Sequence, residues 1–163
     1  MLDVRSVFAN AVESMNVDVS VDLSDLEFSK NHPFKTPVKL VGRIAHSNGF
    51  VVLDAVAEYD YSAPCDRCAT DVVKGCKTKI NHILVSELSN EDTEDYVLIE
   101  DMLLDIDELV RTDLILSMPS KFLCNEDCKG LCTKCGADLN VGVCKCNEAQ
   151  IDPRLAALKQ FLN

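Results

Sequence analysis

Six cysteines crowd into one stretch, CNEDCKGLCTKCGADLNVGVCKC, at Cys124, Cys128, Cys132, Cys135, Cys144 and Cys146. Cys132 and Cys135 form a CxxC followed by Gly136, the knuckle spacing in which two thiolates converge on one tetrahedral zinc. A CxxxC (Cys124, Cys128) and a CxC (Cys144, Cys146) flank it. Spacing alone does not decide which pair completes a four-thiolate site, so four of the six are expected to bind zinc, with Cys132 and Cys135 among them. Six thiols exceed one zinc shell, which leaves two spare or starts a second, partial site.

Packing alone does not hold such a segment. Ordering a residue costs about 1–2 kcal/mol of backbone entropy, and a fully buried aliphatic side chain returns roughly 1.5–3 kcal/mol. Only Leu131, Leu139, Val141 and Val143 are available between Cys128 and Cys144. A structural zinc, which supplies on the order of 10–16 kcal/mol in small zinc modules, is the expected cofactor. Disulfides are disfavoured, because nine cysteines with no secretory signal ahead of them suit a reducing compartment. A cytoplasmic location is expected.

A second cysteine motif, Pro64-Cys65-Asp66-Arg67-Cys68, lies upstream, with Cys76 shortly after. Redox use of the pair calls for a thiol at a helix N-terminus. A strand is expected after it instead, so Cys65 and Cys68 should react slowly. Metal binding here needs ligands beyond Cys76 and could draw on spare thiols of the C-terminal cluster. The third reading is recognition, with Arg67, Lys74, Lys77 and Lys79 forming a small basic patch able to meet phosphate.

The elements that must position these groups read as follows. Leu2, Val4, Phe8, Val12 and Met15 suggest a short amphipathic helix over residues 2–15, and Val17–Phe28 one strand. Val38–Ser47 and Phe50–Ser62 flank Asn48-Gly49, a tight hairpin signal. In the second of these, Val51, Leu53, Ala55, Ala57, Tyr59 and Tyr61 share one face. Val72–Ser86 is a third strand, carrying His82 as a structural histidine, and Tyr96–Ile99 a short fourth. Residues 89–95 are too acidic to pack and read as a loop. Asp105 with Glu108 opens a helix as a capping box, Leu109, Val110, Leu114 and Leu116 form its apolar stripe, and Pro119 ends it. Asp152-Pro153 opens a last helix burying Leu155, Leu158 and Leu162. The expected fold is α+β: an antiparallel sheet or partial barrel with two or three helices and a C-terminal zinc-binding segment. The expected division is 1–120 for the α+β domain with its CxxC turn, and 121–163 for the zinc segment and final helix.

The charge is unevenly placed. Residues 1–120 hold 10 Lys+Arg against 22 Asp+Glu, whereas 121–163 hold 6 against 5. Between Glu87 and Asp113 eleven acids face the single Arg111, a run that repels phosphate and suits a basic protein. Apolar runs are far too short to span a bilayer. The sequence has no phosphate-binding glycine loop, GxSxG or HExxH, and an all-cysteine shell leaves zinc no open position. Neither an enzyme nor a small-molecule substrate is expected.

Together, CDRC at Cys65–Cys68, the acidic run leading to LSMPSKFLC, and CxxxCKGLCxxCGxxLNxxxCxC followed by IDPRLAALKQFL resemble the YceD family, the large ribosomal RNA subunit accumulation proteins of bacteria and plastids. The resemblance implies a non-catalytic ribosome-biogenesis factor that supports accumulation or processing of large-subunit (23S) ribosomal RNA. Its partner would be that RNA or a basic ribosomal protein. Some relatives keep the CxRC element and lack the later cluster. That assigns the common recognition role to Cys65, Arg67 and Cys68, and leaves zinc supporting the fold. The alternative is a zinc-dependent protein-interaction adaptor that contacts no RNA.

Overall fold

A computed structural model describes residues 1–87, 96–144 and 146. In chain order its elements are β1 (Leu2–Asp3), α1 (Arg5–Phe8), β2 (Ser14–Val21), β3 (Val38–Ser47), β4 (Phe50–Pro64), β5 (Asp71–Val85), β6 (Tyr96–Leu98), β7 (Leu103–Leu104) and α2 (Ile106–Ser117). The five strands β2-β3-β4-β5-β6 form one curled sheet in that order, antiparallel except for the parallel β5–β6 pair. β1 and β7 pair separately. The fold is α+β.

The alternation read along β4 sets the core. Val51, Leu53, Ala55, Ala57, Tyr59 and Tyr61 are all buried. Asn48 and Gly49 take positive φ (52° and 88°), which closes the β3–β4 hairpin with the twist flanking strands require. α2 lies across the inner face, burying Ile106, Leu109, Val110 and Leu114. Polar ties fix it at both sides: Asp113 Oδ2 to His82 Nε2 at 2.7 Å on β5, and Arg111 to both Asp25 carboxylate oxygens at 3.0 Å. Asp105 accepts from the Glu108 amide, so the cap forms as the sequence indicates.

Three expectations are corrected. The helix over 2–15 shrinks to Arg5–Phe8, because Leu2–Asp3 pair with Leu103–Leu104 and Ser14–Met15 already pair with Ala45 and Ile44; Asn10 turns the chain at φ 55°. The first strand is Ser14–Val21 and ends before Phe28, while Leu23 and Leu26 bury from the following loop. Leu116 is 80% exposed, and Ile106 takes its place in the stripe: on a 3.6-residue period position 116 falls past Leu109 at the edge of the stripe, roughly 95° from its centre, and in the last turn of the helix. The acidic loop 89–95 and the final helix lie outside the described residues. Among the described residues no helix is long and apolar enough to cross a membrane.

β3 stops pairing at Lys39–Glu58, but β4 and β5 stay paired out to Pro64–Asp71. A two-stranded arm therefore extends past the sheet with the CxxC at its tip. Aromatic contacts brace it: Phe34 packs on Tyr59 and Tyr61 (centroids 5.3 and 6.3 Å), and Tyr61 meets Phe122 edge-on at 4.8 Å. Phe122 thereby seats the segment that follows α2 on the arm.

Candidate metal centres

The arm's tip folds as a knuckle. The Cys65 amide donates to the Thr70 carbonyl and the Ala69 amide to the Cys65 carbonyl, both at 2.8 Å, with Ala69 at φ 57°. The later CxxC repeats this pattern atom for atom. The Cys132 amide donates to the Ala137 carbonyl and the Gly136 amide to the Cys132 carbonyl, again at 2.8 Å, with Gly136 at φ 73°. Both turns need a left-handed residue one place past the second cysteine. Glycine supplies it freely in one, and alanine under strain in the other.

Each knuckle meets a second pair of thiols. Cys65, Cys68, Cys124 and Cys128 form one group and Cys132, Cys135, Cys144 and Cys146 another, the four sulfurs of each lying within 4.8 Å of one another. Within them Cys65–Cys128 lie at 3.9 Å, Cys68–Cys124 at 3.6 Å and Cys132–Cys144 at 3.4 Å. A regular tetrahedron around zinc with bonds near 2.3 Å has edges of about 3.8 Å. All nine cysteines are free, so these are contacts between unbonded sulfurs arranged as a ligand shell. Both groups are compatible with a metal ion. Cys76 stands apart on β5, its thiol directed at the Lys74 carbonyl and pushed up by burial.

Thiol protonation fits such shells. Burial pushes Cys65 up, but the backbone amides of Cys124, Cys68 and Arg67 outweigh it and bring the thiol to about 6. Cys124 is pushed up to about 12, first by its hydrogen bonds with the Cys128 and Cys68 thiols. The second group matches: the amides of Cys135 and Lys134 lower Cys132 to about 6, and the Cys135 thiol leads the rise of Cys146 to about 12. In each group one amide-solvated thiolate sits beside a thiol that keeps its proton. A dication would discharge the rest. No helix terminus stands at Cys65, as the sequence indicates, but the backbone amides around it lower its thiol as one would. At 2% exposure among three more sulfurs, however, Cys65 lacks the access a redox nucleophile needs.

The first group joins the arm to the segment after α2, and hydrogen bonds linking arm side chains and backbone to the segment's backbone reinforce the junction. Asp66 and Phe122 exchange two, at 2.6 and 2.9 Å. Arg67 donates to the carbonyls of Cys128 (2.8 Å) and Glu126 (3.2 Å), and Lys74 donates to Leu123 O (2.7 Å) above the Phe122 ring. Lys77 pairs with Glu58. Three of the four cations read as a phosphate-facing patch, Arg67, Lys74 and Lys77, thus have partners within the chain. Asn140 bridges onward, its amide nitrogen to Cys128 Sγ at 3.4 Å and its oxygen to the Lys129 amide at 2.8 Å.

Gly130 sits between the two groups at φ +73°, where an added Cβ would lie 2.9 Å from the Arg67 carbonyl oxygen. That carbonyl accepts from Leu131 and cannot move away. Gly130→Ala is therefore expected to cost about 2–3 kcal/mol, read as faster proteolysis within residues 120–146 while β-sheet circular dichroism is kept.

A curled sheet whose hairpin arm shares one four-cysteine group with the downstream segment, which carries a second group of its own, defines a cysteine-knuckle protein. The family model described as "Large ribosomal RNA subunit accumulation protein YceD" matches residues 53–162, more than half the chain, and the chain belongs to that family. It is also similar to the protein called "Uncharacterized protein YlbN" of Bacillus subtilis (strain 168), at 27% identity over 153 residues, covering 92% of this chain and 89% of the relative. No solved structure matches. The matched span holds every cysteine of both groups and Arg67.

Proposed function

We propose that this chain is a non-catalytic, cytoplasmic ribosome-biogenesis factor that supports accumulation of large-subunit ribosomal RNA. In this reading zinc in both four-cysteine groups holds residues 121–146 against the arm. The family match over residues 53–162 carries the reading. Zinc chemistry fits the donor sets: four thiolates at tetrahedral spacing form a closed shell with no position for substrate, which supports a structural role and not catalysis. Cys65, Arg67 and Cys68 then act together, the thiols as ligands and the guanidinium as the clamp on the Cys124–Cys128 loop. A chain of net charge −11 gains nothing from long-range attraction to RNA, which favours a basic ribosomal protein as the direct partner.

Depletion is expected to lower mature large-subunit ribosomal RNA severalfold while sparing the small-subunit species, measured by pulse-labelling and sucrose-gradient profiles. Unchanged profiles would remove the ribosomal reading and leave the zinc-supported adaptor.

A further inference from the structure

Between β6, the turn after it and the start of α2 lies an open groove of about 520 Å³. Its floor is apolar: Val97, Leu98, Leu103, Leu104 and Leu109. Leu98 is 42% exposed although it stands in a strand. The rim is acidic, carrying Glu100, Asp101, Asp105 and Glu108; among the described residues no Lys or Arg lines the groove, and Met1, which does, has its ammonium 3.9 Å from Asp107 Oδ2. His82, which also lines it, is already held by Asp113. The rim turn is built under strain, with Asp101 and Met102 consecutively at φ 52° and 58° and closed by the Leu103 amide on the Glu100 carbonyl. Among the described residues no strand pairs along the outer edge of β6.

We infer that this groove binds an extended Lys/Arg-rich protein segment that inserts a large apolar side chain against Leu98, Leu103 and Leu109 and sets its cations on Glu100, Asp101 and Glu108. The floor calls for an apolar anchor, the volume admits one or two large side chains, and the rim fixes the sign of the flanking charge. Nucleic acid is disfavoured by that same rim. The inference deepens the accumulation reading by naming the partner's chemistry, and rests on it for the source, a protein of the large subunit.

The test places a photo-crosslinking p-benzoylphenylalanine at Leu98 in the zinc-loaded full chain and mixes it with proteins stripped from large ribosomal subunits by high salt. Crosslinks mapped by mass spectrometry should fall in Lys/Arg-rich segments next to an apolar residue. Their yield should drop at least tenfold in a Glu100→Lys, Asp101→Lys chain, and less in Glu100→Gln, Asp101→Asn. Crosslinks to RNA, to a second copy, to residues 147–163 of the same chain, or none at all would overturn the inference, as would a yield indifferent to charge reversal. A rescue experiment separates the two readings. If the charge-reversed chain, with its zinc content intact, fully restores large-subunit RNA to depleted cells, the groove is wrong and the accumulation role stands. If depletion itself changes nothing, the accumulation role is wrong whatever the crosslinks show.

Discussion

Replacing Cys65 and Cys68 by serine should take bound zinc from two equivalents per chain to one and release residues 120–146 from the arm. Four sulfurs from two distant stretches make the first group, so deleting one knuckle leaves only Cys124 and Cys128, too few to hold the ion. The loss compares with the roughly 10–16 kcal/mol that structural zinc contributes in small zinc modules. What remains is the Asp66–Phe122 exchange, the Arg67 and Lys74 contacts and the Phe122–Tyr61 edge, each ordinarily about 1 kcal/mol net. These contacts cannot offset the ordering entropy of the segment. The Cys132→Ser, Cys135→Ser chain should also lose one equivalent but stay docked, because Cys124 and Cys128 keep their partners. Elemental analysis with limited proteolysis distinguishes them. Two equivalents retained without Cys65 and Cys68 would sink the shared site.

The sequence carried the local half of this architecture. Period-two burial marked β4 from Val51 to Tyr61, Asn48-Gly49 marked its hairpin, and Asp105 with Glu108 marked the start of α2, because each signal acts between near neighbours. The knuckle at Cys132–Gly136 was equally local. The partition of the six C-terminal cysteines was not. Cys124 and Cys128 meet thiols some 60 positions upstream, Cys68–Cys124 being separated by 56 and Cys65–Cys128 by 63. No spacing rule reaches that far. A signal did exist in the surplus: a knuckle at Cys65–Cys68 lacking two ligands, and a cluster with two too many. Residues 2–15 misled for a related reason, since sheet pairing with Ala45 and Leu104 overrides a weak helical period. Val141 and Val143, expected to help pack the cluster, are 87% and 98% exposed, so the second group rests even less on burial than its composition suggests.

The other large effect is expected far from the cysteines, at Gly42. It lies on the inner face of β3 between Leu40 and Ile44, opposite Val17 on β2 and Ala55 on β4. A Cβ built there would run into the Asp54 carbonyl oxygen and the Cα and Cβ of Ala55. Those are backbone or backbone-anchored atoms of the central strand, so no rotamer change makes room, and the hairpin would have to open. Elsewhere a glycine in a strand weakens it; here its missing side chain lets β3 and β4 close together where the sheet curls. Gly42→Ala should cost about 3 kcal/mol, at the upper end for overpacking, and Gly42→Val should prevent folding. Gly75 is the control, since its added Cβ would find only the Asp60 Oδ1 atom at 3.7 Å, an ordinary contact. Gly75→Ala should fall within about 0.5 kcal/mol of the parent or stabilise it slightly. Urea unfolding of the zinc-loaded chain, followed by far-UV circular dichroism, measures both. Equal midpoints for the two alanine variants would mean that β3 and β4 do not approach this closely at Gly42, and that the curl of the sheet has another origin.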